Sequence, residues 1–349
     1  MPNTLDYVDI SPTRLHRRHS EACFAEVGGR LELWWSRFTG GTGDFASAHV
    51  AKIHSLDGGL SWSRPRCALA NEGRWNTMCP TVLNGPDGQI ELYYLVQNSW
   101  ADAHLRLRRS RDGGRTWSTP RRCTTSPGFH VVNNARVVRL TSGRLIVPAA
   151  WHRRITGPRG PQMDMRAITV FYLSDDGGRT WREGQQWCAL AEPASGSGLQ
   201  EPGVSELPDG RLWAWARTDL GQQWSMHSDD RGESWTSPIP SIFTSPCAPL
   251  SVQRLRDGRY AACWCDRSGR YPISEATADD WGRTPLVLAL STDGVRWGGH
   301  RIIDDQPGRS FSYPALHDLG DGHVLVAYGA GGRDTGHPLN TLRVRRIDL

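Results

Sequence analysis

The sequence predicts an all-β fold, a six-bladed β-propeller with Asp–Trp turns. Two interleaved repeats predict it. In the first, the phrase Ser55-Leu56-Asp57-Gly58-Gly59-Leu60-Ser61-Trp62 returns from Ser110 to Trp117, from Ser174 to Trp181 and from Ser228 to Trp235. A copy one residue shorter runs from Ser291 to Trp297. In the second, a Gly and a polar residue open an apolar run, at Gly29-Arg30-Leu31, Gly88-Gln89-Ile90, Gly143-Arg144-Leu145, Gly210-Arg211-Leu212, Gly258-Arg259-Tyr260 and Gly322-His323-Val324. Self-similarity at this spacing marks an array of one supersecondary unit.

Each element has a physical reason. The Asp of the phrase can accept hydrogen bonds from backbone N–H groups of its own turn. Its glycines permit positive φ, and the closing Trp is a large apolar anchor. Apolar runs such as Val170-Phe171-Tyr172-Leu173 and Leu286-Val287-Leu288-Ala289-Leu290 flank it. The phrase therefore joins two strands of a hairpin. A short strand, such as Ala315 to Leu319, precedes each Gly of the second repeat. Six such hairpins, five followed by the Asp–Trp turn, make six four-stranded sheets, whose radial repetition is a propeller. The sixth unit has no Asp–Trp turn, so ring closure is expected to pair strands from the two chain ends.

A length of 349 residues could hold two domains. The repeats run from about Gly29 to the C-terminus and no Ser/Gly- or Pro-rich linker interrupts them, so residues 1–349 read as a single domain. Five of the sixteen Trp belong to the repeat turns. The net charge of +5 comes without a Lys/Arg run. It suits an acidic ligand and equally a soluble basic protein. No nucleic-acid motif occurs, and neither a nucleic-acid nor a membrane partner is expected. The oligomeric state is not readable. Cysteines at 23, 67, 79, 123, 188, 247, 263 and 265 show no zinc-site spacing, so neither metal nor cofactor is expected, and Cys263 and Cys265 read as small buried hydrophobes on one strand face. The first thirty residues hold no apolar run. A cytoplasmic location is the default expectation, and secretion the alternative if a leader has been removed.

Propellers bind ligands where their blades converge on the central channel, so functional residues should be scattered in sequence. Five segments invite this reading: Arg18-His19-Ser20; Asp44 at the end of Gly40-Gly41-Thr42-Gly43; Gln200 to Gly210, running on to Arg217; Arg283, ahead of the strand from Leu286; and Ser312-Tyr313-Pro314-Ala315-Leu316.

With these residues the chain resembles the sialidases (neuraminidases), six-bladed propellers with Asp-box turns, along its whole length. Glu201 to Arg217 is similar to the family stretch Glu-Ser-Gln-Val-Val-Glu-Leu-x-Asp-Gly followed by a strand ending in Arg. Tyr313 opens Tyr-Pro-Ala-Leu, similar to the family's Tyr-Ser-Asp-Leu. Arg283 precedes a strand and an Asp-box, Arg18 takes the place of the Arg in Arg-Ile-Pro, and Asp44 falls where the family has its acid/base Asp. His19-Ser20 in place of Ile-Pro, and Pro314 in place of Ser-Asp, depart from the pattern.

The resemblance implies an exo-acting glycoside hydrolase that releases a terminal sialic acid or a related nonulosonic acid. Arg18, Arg217 and Arg283 would clamp the sugar carboxylate through charge-assisted hydrogen bonds. A carboxylate nucleophile would be repelled at an anomeric carbon bearing its own carboxylate, so a phenol suits the site. Tyr313 would attack, Glu201 would take its proton, and Asp44 would protonate the leaving oxygen and later activate water. Configuration would be retained, by the Tyr exception to the two-carboxylate rule.

The segment His130-Val131-Val132-Asn133-Asn134-Ala135-Arg136 stands where sialidases have a Gly-rich stretch. His130, Asn134 and Arg136 are therefore expected to read sugar hydroxyls, with turn and strand-edge hydrogen bonding as the structural alternative. Trp151-His152 and Gln222-Gln223-Trp224 are further pocket candidates. Two other functions stay open: a propeller hydrolase or lyase acting on another acidic sugar, and a non-catalytic glycan-binding propeller.

Overall fold

The computed structural model describes residues 7–158, 160–272, 276–278 and 280–349. They are all-β, and the strand ladders follow the repeats. The first unit is Arg18–Val27, Arg30–Phe38, Ala48–Ser55 and Arg66–Leu69 in that order. Gln200–Glu206, Leu212–Arg217, Gln222–Ser228 and Ile239–Thr244 form a second such sheet. Ser251–Arg254, Tyr260–Cys265, Leu286–Ser291 and Gly298–Asp304 form a third. The fourth contains Ser312–Asp318, His323–Gly329 and Leu342–Asp348, completed by the N-terminal strand Tyr7–Ile10. Tyr7 faces Arg345 and Ile10 faces Leu342, so the two chain ends share one sheet.

The expectation of six separate four-stranded sheets is corrected in one place. The units starting at Asn76–Asn84 and Gly128–Val131 are fused in one nine-stranded sheet. A parallel pairing of Gly128 with Asp102 and Phe129 with Ala103 joins them. The cause is a break in the inner strand of the later unit, which leaves Gly128–Val131 and Val138–Arg139 as two short pieces with 132–137 crossing between them. A hairpin absent from the repeat, Arg154–Gly157 with Gly160–Met163, rises from the same unit.

The core lies between neighbouring units. Six main apolar clusters each draw on two of them, for example Leu33 and Trp35 with Leu325 and Val344, or Tyr93 and Leu105 with Val147 and Tyr172. Inner strands pack on inner strands, and Arg18–Val27 meets both Asn76–Asn84 and Ser312–Asp318. The Asp-box Trp residues 62, 117, 181, 235 and 297 enter five of these clusters. The remaining cluster, built on Cys263, Cys265, Leu286 and Val324, contains no Trp, as the missing turn of the last unit requires.

The turn chemistry repeats in detail. Ser55 Oγ donates to Asp57 Oδ1 at 2.7 Å and accepts the Gly59 N–H at 2.8 Å. Asp57 then accepts the Ser61 N–H at 2.9 Å. The same bonds recur around Ser110 and Asp112, Ser174 and Asp176, and Ser228 and Asp230. All eight cysteines are free thiols.

Candidate active site

The site is built from a backbone device. On four inner strands one residue adopts positive φ while the ladder skips past it: Glu21 (φ 51), Cys79 (φ 52), Glu201 (φ 47) and Tyr313 (φ 56). Pairing passes from Ser20–Ser36 to Ala22–Trp35, from Gln200–Arg217 to Gly203–Trp215, and from Ser312–Gly329 to Ala315–Ala327. These are bulges, which re-aim side chains. Pro80, Pro202 and Pro314 follow three of the four, and a residue without an N–H fits a broken ladder. Left-handed conformation in L-residues stores about 1 kcal/mol or more each, and such strain gathers at functional sites. At Gly203 the glycine is required, since a Cβ there would lie 2.3 Å from the Trp215 ring.

The bulges bring distant residues together. The Tyr313 hydroxyl donates to Glu201 Oε1 at 3.2 Å. Glu201 Oε2 accepts from Arg217 at 2.8 Å, and Arg217 also donates to the Gln200 side chain. Burial pushes the Tyr313 phenol well above its ordinary value; Glu201 adds to the shift, while Arg217 and Arg283 oppose it.

Arg18 is buried with its guanidinium 4.4 Å over the Phe38 ring. It donates to Asp44 Oδ1 at 2.6 Å, to Ser20 Oγ at 2.7 Å and to Glu21. Arg283 donates to the Cys247 carbonyl at 2.9 Å and lies over the rings of Trp281, at 4.8 Å, and Tyr313, at 5.8 Å. Asp44 and Tyr313 each lie within electrostatic reach of all three arginines. Burial pushes the Asp44 carboxyl up, but Arg18 first, then Arg283 and Arg217, hold it below the usual range. Its side chain is 63% exposed, so water screens part of that pull. Burial outweighs Arg18 at Glu21 and raises its carboxyl.

A pocket of about 120 Å³ opens beside Asp44, Glu201, Arg217 and Tyr313. Its far wall is apolar, with Met78, Leu95, Phe129, Val131 and Met163, and its polar groups include Gln97, Asn133 and His152. Among the described residues, no three His, Cys, Asp or Glu side chains are grouped as metal ligands.

The structure turns the other sugar-reading candidates away from this pocket. Strand alternation sends Phe129 and Val131 into it and His130 to the opposite face. There His130 meets the Tyr172 hydroxyl at 2.7 Å and the Ala103 carbonyl at 3.2 Å. Asn134 donates to the Ala22 carbonyl at 2.6 Å, and Arg136 to the Leu250 carbonyl at 2.7 Å. Gln223 is bonded to Ser245 and Ala248, and Trp224 packs into a core cluster. The Trp151 indole donates to the Pro127 carbonyl, whereas His152 does line the pocket. Glu21, Cys79, Gln97 and Asn133 also line it and were not singled out from sequence. The x-Pro step at Cys79-Pro80, parallel to Glu201-Pro202 and Tyr313-Pro314, was a readable signal for Cys79.

The chain is similar to known proteins in sequence and in fold. The family model for the BNR repeat-like domain matches residues 57–326. A sialidase of Micromonospora viridifaciens is 27% identical over 235 residues, 65% of this chain and 34% of that protein. The chain thus spans about a third of the length of that relative. Among solved structures, a protein of unknown function from Dyadobacter fermentans superposes with a TM-score of 0.75 at 17% identity, covering 100% of both chains. The NanB sialidase of Streptococcus pneumoniae does so with 0.72 at 14% identity, covering 100% of this chain and 71% of that one. The repeats, the ladders and the family match lead to one assignment: the chain belongs to the BNR repeat-like domain family.

Proposed function

We propose that this protein is a retaining exo-glycosidase that releases a terminal sialic acid or a related nonulosonic acid. The observation that carries the reading is the Tyr313 hydroxyl on Glu201 at 3.2 Å, with three arginines in electrostatic reach of that phenol. A phenol of raised pKa is a poor nucleophile until a base takes its proton, and Glu201 is in place to do so.

The substrate carboxylate docks on Arg18, Arg217 and Arg283. The Tyr313 oxygen attacks the anomeric carbon as its proton passes to Glu201. The bond to the leaving oxygen breaks, and Asp44 supplies the proton that oxygen needs. Water then attacks the same carbon and gives its proton to Asp44, while the departing Tyr313 oxygen regains its proton from Glu201. Two inversions give retention. In the unliganded protein Asp44 is paired with Arg18. A carboxylate arriving on Arg18 weakens that pair and brings a second anion, so docking itself favours the protonated Asp44 that the first step requires.

The test is release of a fluorogenic phenol from its α-sialoside by the wild type, with Tyr313→Phe and Asp44→Ala alongside. Unaltered turnover in both variants sinks the mechanism. Tight binding of the sialoside without any turnover by the wild type favours a glycan-binding propeller instead.

A further inference from the structure

Residues 132–137, which break the inner strand of the unit starting at Gly128–Val131, bond to the units starting at Arg18–Val27, Asn76–Asn84, Ser251–Arg254 and Ser312–Asp318. The Asn134 amide donates to the Ala22 carbonyl at 2.6 Å in the first unit and reaches the Tyr313 carbonyl at 3.5 Å in the last. The Ala135 N–H goes to the Pro80 carbonyl at 3.2 Å, and the Arg136 N–H to Thr81 Oγ1 at 3.0 Å, both in the strand Asn76–Asn84. The Arg136 guanidinium donates to the Leu250 carbonyl at 2.7 Å and to Ser251 Oγ at 3.3 Å, at the start of the Ser251–Arg254 unit. That hydroxyl donates onward to the Pro314 carbonyl at 2.5 Å, next to Tyr313. The Trp215 indole shares the Leu250 carbonyl at 2.9 Å, and Arg136 lies 5.8 Å over the Trp215 ring.

The segment also separates two hollows, with Asn133 lining one and Ala135, Arg136 and Val137 the other. The pocket holding Tyr313 and Glu201 lies on one side, and a hollow of about 430 Å³ lined by Arg136, Ser251 and Glu206 lies on the other. The two share no lining residue. Among the described residues, buried Arg136 has no carboxylate at hydrogen-bond distance and its Nε has no partner. Burial pulls this guanidinium down to about 10, against the opposing pull of Glu201 and Cys79, so it stays cationic at neutral pH.

We infer that Asn134 and Arg136 are positioning residues for the reaction proposed above. Asn134 holds the Tyr313 backbone, Arg136 holds its neighbour through Ser251, and the fixed charge of Arg136 sits in the field of Glu201. A buried cation that answers no carboxylate directly is costly. A role in fixing the strained Tyr313–Glu201 pair accounts for its presence better than a role in binding sugar, since its guanidinium is bonded to Leu250 and Ser251 and lines the other hollow.

The test uses the full chain with Arg136→Met and Arg136→Lys. Misplacing reacting groups by about 1 Å costs about 100-fold in rate. Arg136→Met is therefore expected to lower kcat about 100-fold with KM within about 3-fold, and Arg136→Lys to recover about 10-fold of that loss. A crystal structure of Arg136→Met should show the Tyr313–Glu201 hydrogen bond broken. Unchanged kcat, a change in KM alone, or an intact Tyr313–Glu201 bond in that variant overturns the inference. Should Arg136→Met not fold, Ser251→Ala removes one oxygen of the relay and should cost about 10-fold in kcat; no loss there also overturns it. The crystallographic result needs no turnover, so failure of the hydrolase reading and failure of this inference are distinguishable.

Discussion

The Tyr313 hydroxyl and the Glu201 carboxylate meet at 3.2 Å across 112 residues of chain, and both residues hold positive φ. Neither meets the other by chance of rotamer, since each is aimed by a bulge in its own inner strand. Removing the base should therefore leave binding and abolish proton transfer. Glu201→Gln is expected to lower kcat by about 10²- to 10⁴-fold, the usual worth of a positioned general base. Steady-state kinetics on an aryl sialoside measure this, and a variant within 3-fold of wild type, about 0.7 kcal/mol, speaks against the assigned role.

The repeats carried the fold because they are local. Asp57, Asp112, Asp176, Asp230 and Asp293 bond within their own turns, so each turn is written in eight contiguous residues or fewer. Pairing of Tyr7–Ile10 with Leu342–Asp348 joins opposite chain ends, and no local pattern encodes it. The same limit governs the site. Resemblance names Asp44, Glu201 and Tyr313, but the face of His130 is not legible, because a one-residue change of strand face decides whether it or its neighbours meet the pocket. The partners of Asn134 and Arg136, Ala22 and Leu250, lie more than a hundred residues away, so no local pattern shows that these side chains brace other units. Glu21 carries no such signal, since its bulge lacks the following Pro that marks Cys79, Glu201 and Tyr313.

Arg231 offers a test of the turn physics. It holds φ 60 at the place where three other Asp-boxes have Gly58, Gly113 and Gly177, at φ 68, 74 and 71. Its side chain is exposed, and the contact it makes to Arg144 is through its carbonyl. Arg231→Gly removes a left-handed L-residue at the cost of a more flexible unfolded chain, and a net gain of about 0.5–1 kcal/mol is expected. Urea unfolding measures it; a lower midpoint in the variant contradicts the strain argument.

The Asp-boxes should also shape the acid limit of stability. All five hydrogen-bonded turn carboxylates fall below the ordinary 3.8, Asp57 and Asp176 to about 2 and Asp112 further. At Asp57 the Ser61 hydroxyl is the largest cause, followed by the Ser61 N–H. At Asp176 burial pushes upward, and the Thr180 hydroxyl and N–H outweigh it. Folded values below unfolded ones mean that the stabilisation is complete above 3.8 and is lost as pH falls through about 2. The thermal midpoint should drop across that window. Asp57→Asn should melt lower at neutral pH and show a shallower drop; an unchanged slope assigns the acid sensitivity elsewhere.

Docking on Arg18 should be coupled to a proton. Arg18 is the largest influence holding Asp44 down, followed by Arg283 and Arg217, against the upward push of burial. A ligand carboxylate that takes over Arg18 removes part of that pull and adds a like charge, so the Asp44 value must rise on binding. Binding of an unreactive sialic-acid analogue at about pH 5, just above the ordinary carboxylate range, is then accompanied by proton uptake. Calorimetry in two buffers of different ionisation enthalpy measures it. Asp44→Asn should abolish the uptake while the analogue still binds. Glu21, whose carboxyl burial raises, is the other candidate, being bonded to the same guanidinium. Uptake that survives in Asp44→Asn and disappears in Glu21→Gln would move the proton to Glu21 and leave Asp44 without the acid role.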